Sequence, residues 1–207
     1  MAKNFVSNSP ESIRMFKNNL LESVSKVHFS IPLLVYIPII GFLSYKSIAT
    51  GNTILNYILY FIFGLFIWTL TEYVLHKYVF HFVPKSGWGQ RLHFIFHGVH
   101  HDYPMDRLRL VMPPSLSLLI ATGFYLLFSL FFTKVNFFAF FSGFLLGYLM
   151  YDMTHYAIHH FNWKNPWFAR VKKHHMLHHY HDPSKGFGVS SSLWDVILRS
   201  NFKEDLK

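Results

Sequence analysis

Four stretches of the chain are almost free of polar residues, and basic and polar residues crowd between them. They run from about Phe29 to Tyr45, from Ile54 to Leu75, from Leu116 to Thr133 and from Val135 to about Tyr151. Each approaches or reaches the ~20 residues needed to cross a hydrocarbon core of ~30 Å. Pro32 and Pro38 fall inside the first, where neighbouring helices can re-satisfy the backbone groups they free. Only Lys134 separates the last two stretches, which predicts a tight antiparallel hairpin. Ahead of the first stretch, Ser9 is a candidate N-cap, with Pro10 at N1 and Glu11 in the first turn. Ile13, Phe16, Leu20 and Val27 then form an apolar stripe beside Arg14, Lys17 and Lys26, the pattern of an interfacial helix; a solvated arm is the alternative. No secretory signal peptide is recognisable. The expected organisation is an N-terminal polar or interfacial helix over 1–27 and a single membrane-embedded domain over 28–207.

Composition sharpens this picture. Of 207 residues, 52% are hydrophobic, 20% aromatic and 14% charged, a balance that excludes disorder. The absence of cysteine removes disulfides, thiolate metal sites and iron–sulfur clusters. The net charge of +9 is unevenly spread: if the four stretches alternate across a membrane, 17 of the 19 lysines and arginines fall on one face and 2 on the other. The positive-inside rule puts the crowded face, with both termini, in the cytoplasm. That pattern accounts for the charge without nucleic acid.

Fourteen of the 15 histidines lie at or after His76, in segments assigned to that face or at adjoining helix ends. His97, His100 and His101 stand at i, i+3 and i+4, as do His175, His178 and His179; such spacing puts three imidazoles on one helical face. His155 and His159 also share a face. His76 and His81, five apart, do not share one on an ideal helix, so either the helix ends there or the two rings serve different metals. These ten donors exceed what one ion takes, about four to six, and would supply two metals with five nitrogens each. Imidazole suits iron, zinc, copper and nickel. A structural zinc site would need only four ligands. Glu72, Asp102, Asp106, Asp152, Asp182 and Asp195 are candidate acid/base groups or, more in keeping with acids beside ligating histidines, partners that orient them.

The stretches from Glu72 to His81, His97 to Asp106, Tyr151 to His160 and His174 to His179 resemble the fatty acid hydroxylase and sterol desaturase superfamily, and within it the fatty acid 2-hydroxylases acting on sphingolipid acyl chains. Gly186-Phe187-Gly188 and Trp194-Asp195 extend the likeness, which covers roughly Thr71 to Leu198. The resemblance implies an all-α integral membrane oxygenase, about four transmembrane helices under a cytoplasmic histidine-rich helical cap that holds a dimetal centre. Carried over position by position, it names His76, His81, His97, His100, His101, His155, His159, His175, His178 and His179 as ligands through which catalysis runs, with Asp152 beside them. His93, His160, His174 and His181 are left as supporting or surface residues. Iron is the expected working metal and zinc a substitute in purified protein. Members of the family often carry a cytochrome b5 domain with a His-Pro-Gly-Gly motif; none stands in this sequence, so electrons are expected from a separate cytochrome b5-like or ferredoxin-like protein. The short form suggests a bacterial inner membrane rather than an endoplasmic reticulum.

The function expected is O₂-dependent hydroxylation of a long fatty acyl chain at carbon 2, free or in a sphingolipid-like lipid. For that carbon to be selected, the lipid's polar end must sit near the metals, where Arg107, Arg109, Lys172 or Lys173 could anchor it. Oxidation of a sterol, carotenoid or ether lipid is the alternative within the superfamily. A non-catalytic membrane metal-binding or transport protein is the alternative of another class, but transport would place ionisable residues inside the spans, and these are almost uncharged.

Overall fold

The computed structural model describes residues 6–202, helical with no strand among them. Residues 1–5 and 203–207, at the ends of the predicted segments, lie outside the described residues. Three helices are long and apolar enough to cross a membrane: α2 (Ser30–Ala49), α3 (Ile54–Val74), which continues through Phe80, and α7 (Lys134–His160). Between α3 and α7 lie α4 (Gly87–His93), α5 (Val99–Asp102) and α6 (Pro114–Ser129); α8 (Pro166–Tyr180) and α9 (Leu193–Ile197) follow, and α1 (Asn19–Val24) precedes α2.

The third predicted span is shorter than expected. α6 starts on the Pro113-Pro114 pair and closes at Ser129, 16 residues, or about 24 Å at 1.5 Å per residue. Residues 130–133 then make the turn into α7, as the lone Lys134 predicts. α7 is longer than its apolar stretch: 27 residues, about 40 Å. About two turns project past a ~30 Å core and carry His155 and His159 out of it. The α3 continuation does the same for His76.

α7 is the axis of the bundle. Two-thirds of its span is buried, against 11% for α3 and 22% for α2. Five of the 24 phenylalanines lie on it. Phe140 meets Phe128 at 5.0 Å between ring centroids, and Phe144 meets Phe124 and Trp68 at 5.2 Å each. Such tilted pairs add about 0.5–1.5 kcal/mol apiece beyond their burial. On the face toward α3 the side chains vanish instead. A Cβ added to Gly143 would stand 1.9 Å from the Phe61 carbonyl oxygen, and one on Gly64 1.9 Å from that of Phe140. These small residues let the backbones touch. At the end away from the histidines, Asn56 Nδ2 donates to Asn52 Oδ1 (2.6 Å) and Asn136 Oδ1 (2.7 Å), while Asn52 Nδ2 and Ser47 Oγ close the knot between α2, α3 and α7.

The N-terminal segment departs from expectation. No helix starts at Ser9; the only helix before α2 among the described residues is α1, capped by Asn18, whose side chain accepts from the Leu20 and Leu21 amides. The reason is tertiary. Glu22 is buried and accepts from the Met15 and Phe16 amides at 3.0 Å each, and Arg109 Nη2 reaches it at 2.6 Å. Arg109 also donates to the Ile13 carbonyl and to Ser25 Oγ. Residues 13–16 therefore spend their backbone groups on this cluster and not on a helix.

Candidate metal centre

Two wide turns set up the first histidines. Residues 75–80 are π-helical, and the His81 amide donates to the His76 carbonyl at 3.0 Å. An i→i+5 bond stacks residue i+5 over residue i. The spacing that separates His76 and His81 on an α-helix therefore brings them together, with ring centroids 4.9 Å apart. Of the two alternatives expected for the pair, the first holds: the helix ends here, its π-turn closing at Phe80 with His81 as the C-cap, and both rings join one group. A second π-turn, Phe94–Gly98, moves His93 off the face of His97. Its ring lies instead over Gly98, whose added Cβ would be 3.4 Å from His93 Nδ1.

The ten predicted histidines fall into two groups of five. One comprises His76, His81, His97, His101 and His178; the other comprises His100, His155, His159, His175 and His179, and within each all donor atoms lie within 4.8 Å of one another. Each three-histidine face divides between them. His97 and His101 serve one group and His100 the other; on α8, His178 serves the first and His175 and His179 the second. The groups abut, His101 stacking on His179 at 4.2 Å.

The contacts inside the groups are unlike a packed core. Nε2 faces Nε2 in each: His97 lies 3.1 Å from His76, 3.1 Å from His81 and 2.9 Å from His101, and His178 lies 3.0 Å from His81. In the other group His155–His100 is 2.8 Å, and His100–His179, His179–His175 and His175–His159 are 3.0 Å each. His76 and His178 give their Nδ1 protons to the Phe187 and Lys185 carbonyls, at 2.5 and 2.6 Å. A carbonyl only accepts, so in these two rings, when neutral, Nε2 is a bare lone pair. Burial, reinforced by neighbouring imidazoles, holds His97, His100, His101, His175 and His179 well below the ordinary imidazole pKa. Burial takes His178 to about 4 despite its bond to Lys185, and His81 to about 2. These rings are neutral at pH 7, the form a metal requires.

A neutral ring has at most one Nε2 proton to share, too few for the three Nε2 atoms around His97, and lone pairs left facing one another repel unless a cation stands between them. Two nitrogens ~2.1 Å from one ion lie about 3.0 Å apart at a right angle and about 3.4 Å apart in a tetrahedron. The observed separations match the right angle, the arrangement of five- or six-coordinate ions. Among the described residues no carboxylate joins either group.

The remaining acids have other partners. Asp106 and Glu22 flank Arg109, and Asp182 pairs with Lys185. Asp195 accepts from His174 at 3.1 Å and from the Phe187 and Gly188 amides. Asp152 is buried, 3.4 Å from the Tyr148 hydroxyl. His160 packs on Tyr156, and His181 faces Phe202. Of the expected lipid anchors, Arg109 is unsuitable, being buried and saturated by Glu22, Ile13 and Ser25. Lys172 donates to the Phe161 carbonyl; Arg107 and Lys173 are exposed.

A cavity of about 230 Å³ opens onto His97, His100, His155 and Asp152, roofed by Met15, Leu21 and Val24 of the N-terminal segment. Phe80, Met112 and Tyr151 line both it and an apolar pocket bounded by Tyr36, Trp68, Ala121 and Phe144. The pocket runs between α2, α3, α6 and α7, away from the histidines.

Residues 61–200 match the sequence model of the family described as fatty acid hydroxylase. The chain belongs to the fatty acid hydroxylase family. It is 38% identical over 189 residues to a dihydroceramide fatty acyl 2-hydroxylase of Arabidopsis thaliana, covering 91% of this chain and 79% of that one. It is 37% identical over 210 residues to the human fatty acid 2-hydroxylase, covering 91% of this chain and 56% of the relative. The solved structure of full-length scs7p, in which only the hydroxylase domain is visible, superposes with a TM-score of 0.85 at 35% identity, over 90% of this chain and 71% of that one. The relatives named here are eukaryotic and lend no support to the bacterial inner membrane suggested by the short form.

Proposed function

We propose that the protein hydroxylates a long fatty acyl chain at carbon 2, free or in a sphingolipid-like lipid, with O₂ and electrons from a separate cytochrome b5-like or ferredoxin-like protein. The observation that carries the reading is the pair of five-imidazole groups, three of whose rings border a cavity that shares Phe80, Met112 and Tyr151 with an apolar pocket between membrane helices. Relatives named as fatty acid and dihydroceramide 2-hydroxylases support the choice of carbon.

The ten histidines would hold two metals, and iron bound there would supply the oxidation of an unactivated C–H bond, which redox-inert zinc does not. The rest is the work of this chain. The cavity beside His97, His100 and His155 receives the carbons next to the lipid's polar end, while the tail follows Tyr151, Phe144 and Trp68 along the bundle. Holding the chain at both places presents one carbon to the metals, and that positioning is the source of regioselectivity. The apolar lining and the roof of Met15, Leu21 and Val24 keep bulk water out. Exposed Arg107 and Lys173 remain the cations available to the polar end.

In this reading residues 28–207 form one membrane domain, to which the N-terminal segment is strapped through Arg109. α6 is taken as a short fourth span, with both termini and the histidines on the cytoplasmic face; a terminal reporter active outside the cytoplasm would contradict it. The reaction is tested by giving reduced, iron-loaded protein O₂, an electron donor and ceramide or free fatty acid. Mass spectrometry should find one added oxygen on carbon 2. Loss of two hydrogens would mean a desaturase, and oxygen on a sterol or carotenoid the alternative substrate class.

A further inference from the structure

The loop over residues 185–190 has no regular secondary structure, yet it supplies both carbonyls that fix the tautomers of His76 and His178. Its shape is imposed by two glycines. Gly186 has φ +70°, and a Cβ there would fall 2.4 Å from the Phe202 ring. A Cβ on Gly188 would fall 2.0 Å from the Ser191 carbonyl oxygen. Two buried carboxylates then pin the loop. Asp195 takes the Phe187 and Gly188 amides at 2.9 and 2.7 Å. Glu72 takes the Val189 and Ser190 amides at 2.6 and 2.8 Å and the Ser190 hydroxyl as well.

Glu72 stands one turn before His76 on α3. Its carboxylate thus ties the loop to the helix that presents His76, and the loop in turn aims that ring. The other group lacks this support: His100, His175 and His179 have buried Nδ1 atoms with no hydrogen-bond partner.

We infer that Glu72 is a positioning residue for one metal only, acting through the 185–190 loop on His76 and His178, and that the two metal sites are therefore unequal in how they are held. The inference rests on the dimetal reading. Both Glu72 oxygens are committed to the loop, so its part is to hold geometry. Orienting partners of this kind are worth about 10–100-fold in metal affinity.

The test counts zinc in purified, zinc-loaded protein and needs no turnover. Wild type should hold two ions per chain; any other number defeats the dimetal reading itself. Glu72→Ala, with helicity retained, should hold one, and Glu72→Gln, whose amide oxygen still accepts from the loop, should hold two. His159→Ala, which damages the other group, should hold one, and the double variant with Glu72→Ala none. Ser190→Ala removes one bond and gives a second readout, independent of how well Glu72→Ala folds: one of its two zinc ions should leave at about tenfold lower chelator concentration than in wild type. Two firmly held ions in Glu72→Ala, one ion left in the double variant, or wild-type chelator resistance in Ser190→Ala would overturn the inference.

Discussion

The two ends of the bundle each gather polar side chains where α3 and α7 meet, and they solve the burial problem in opposite ways. At the asparagine end every contact pairs a donor with an acceptor: Asn56 Nδ2 to Asn52 and Asn136, Asn52 Nδ2 to Ser47 Oγ. At the histidine end Nε2 meets Nε2 eight times within 2.8–3.1 Å. Buried polar groups are costly when unpaired, so a satisfied cluster is explained by the fold alone and an unsatisfied one is explained by what it is built to hold. Complementarity of hydrogen bonds, not polarity, separates a structural knot from a site.

The strongest way to break this comparison is to remove one ring from each histidine group. His178→Ala and His159→Ala should each lower 2-hydroxy product at least ~100-fold while the far-ultraviolet circular dichroism stays helical, since losing only a ligand's orienting partner already costs up to about 100-fold. Retained activity in either would deny that group a part in the reaction. At the opposite end, Asn56→Ala should cost about 1–3 kcal/mol of stability by stranding Asn52 and Asn136, yet leave both metals in place. Denaturant melts with elemental analysis separate the two effects.

Much of this contrast is legible in the sequence. Spacings of three and four mark the rings around α5 and on α8, and three of the four uncharged stretches are helices long enough to cross a membrane. The five-residue step from His76 to His81 was not legible, because the widened turn is set by the packing that draws both rings into one group. Nor was the division of each three-histidine face between two groups, since helical periodicity gives a face but not which neighbour stands over each part of it. The helix expected from Ser9 lost to Arg109 and Glu22, 87 residues apart, a pairing no local pattern carries. Glu72 was visible as an acid at the end of an apolar stretch, but its loop partners lie more than 100 residues away.

A smaller effect should come from the apolar pocket. Ala121→Phe fills space beside Tyr36 and Phe144 and should shift products toward shorter acyl chains by several-fold without changing metal content; gas chromatography of the hydroxy acids reads the shift. An unchanged distribution would remove the tail from that pocket.

The smallest effect concerns the N-terminal strap. Burial alone would raise the Glu22 pKa, but bonds from the Phe16 and Met15 amides and Lys26, with the Arg109 charge, hold it at about 2 against an ordinary 4.5. Its contribution is complete above about pH 4.5 and fades as pH falls toward 2. Pepsin cleavage within residues 13–27 should therefore accelerate between pH 4 and pH 2, taken as approximate bounds from that shift. Equal rates at both would detach the strap from Glu22.

The glycines of α3 and α7 decide where a lipid chain has no room. Where Gly64, Gly143 and Gly147 bring the two helices into direct contact, no gap is left for a methylene chain, and that seam works as a welded wall. α6 forms the opposite side, lining the apolar pocket with Ser117, Ile120, Ala121 and Phe124. A lipid chain held in the apolar pocket beside Phe144 is thus walled off where α3 and α7 touch, and has the side chains of α6 as its other boundary.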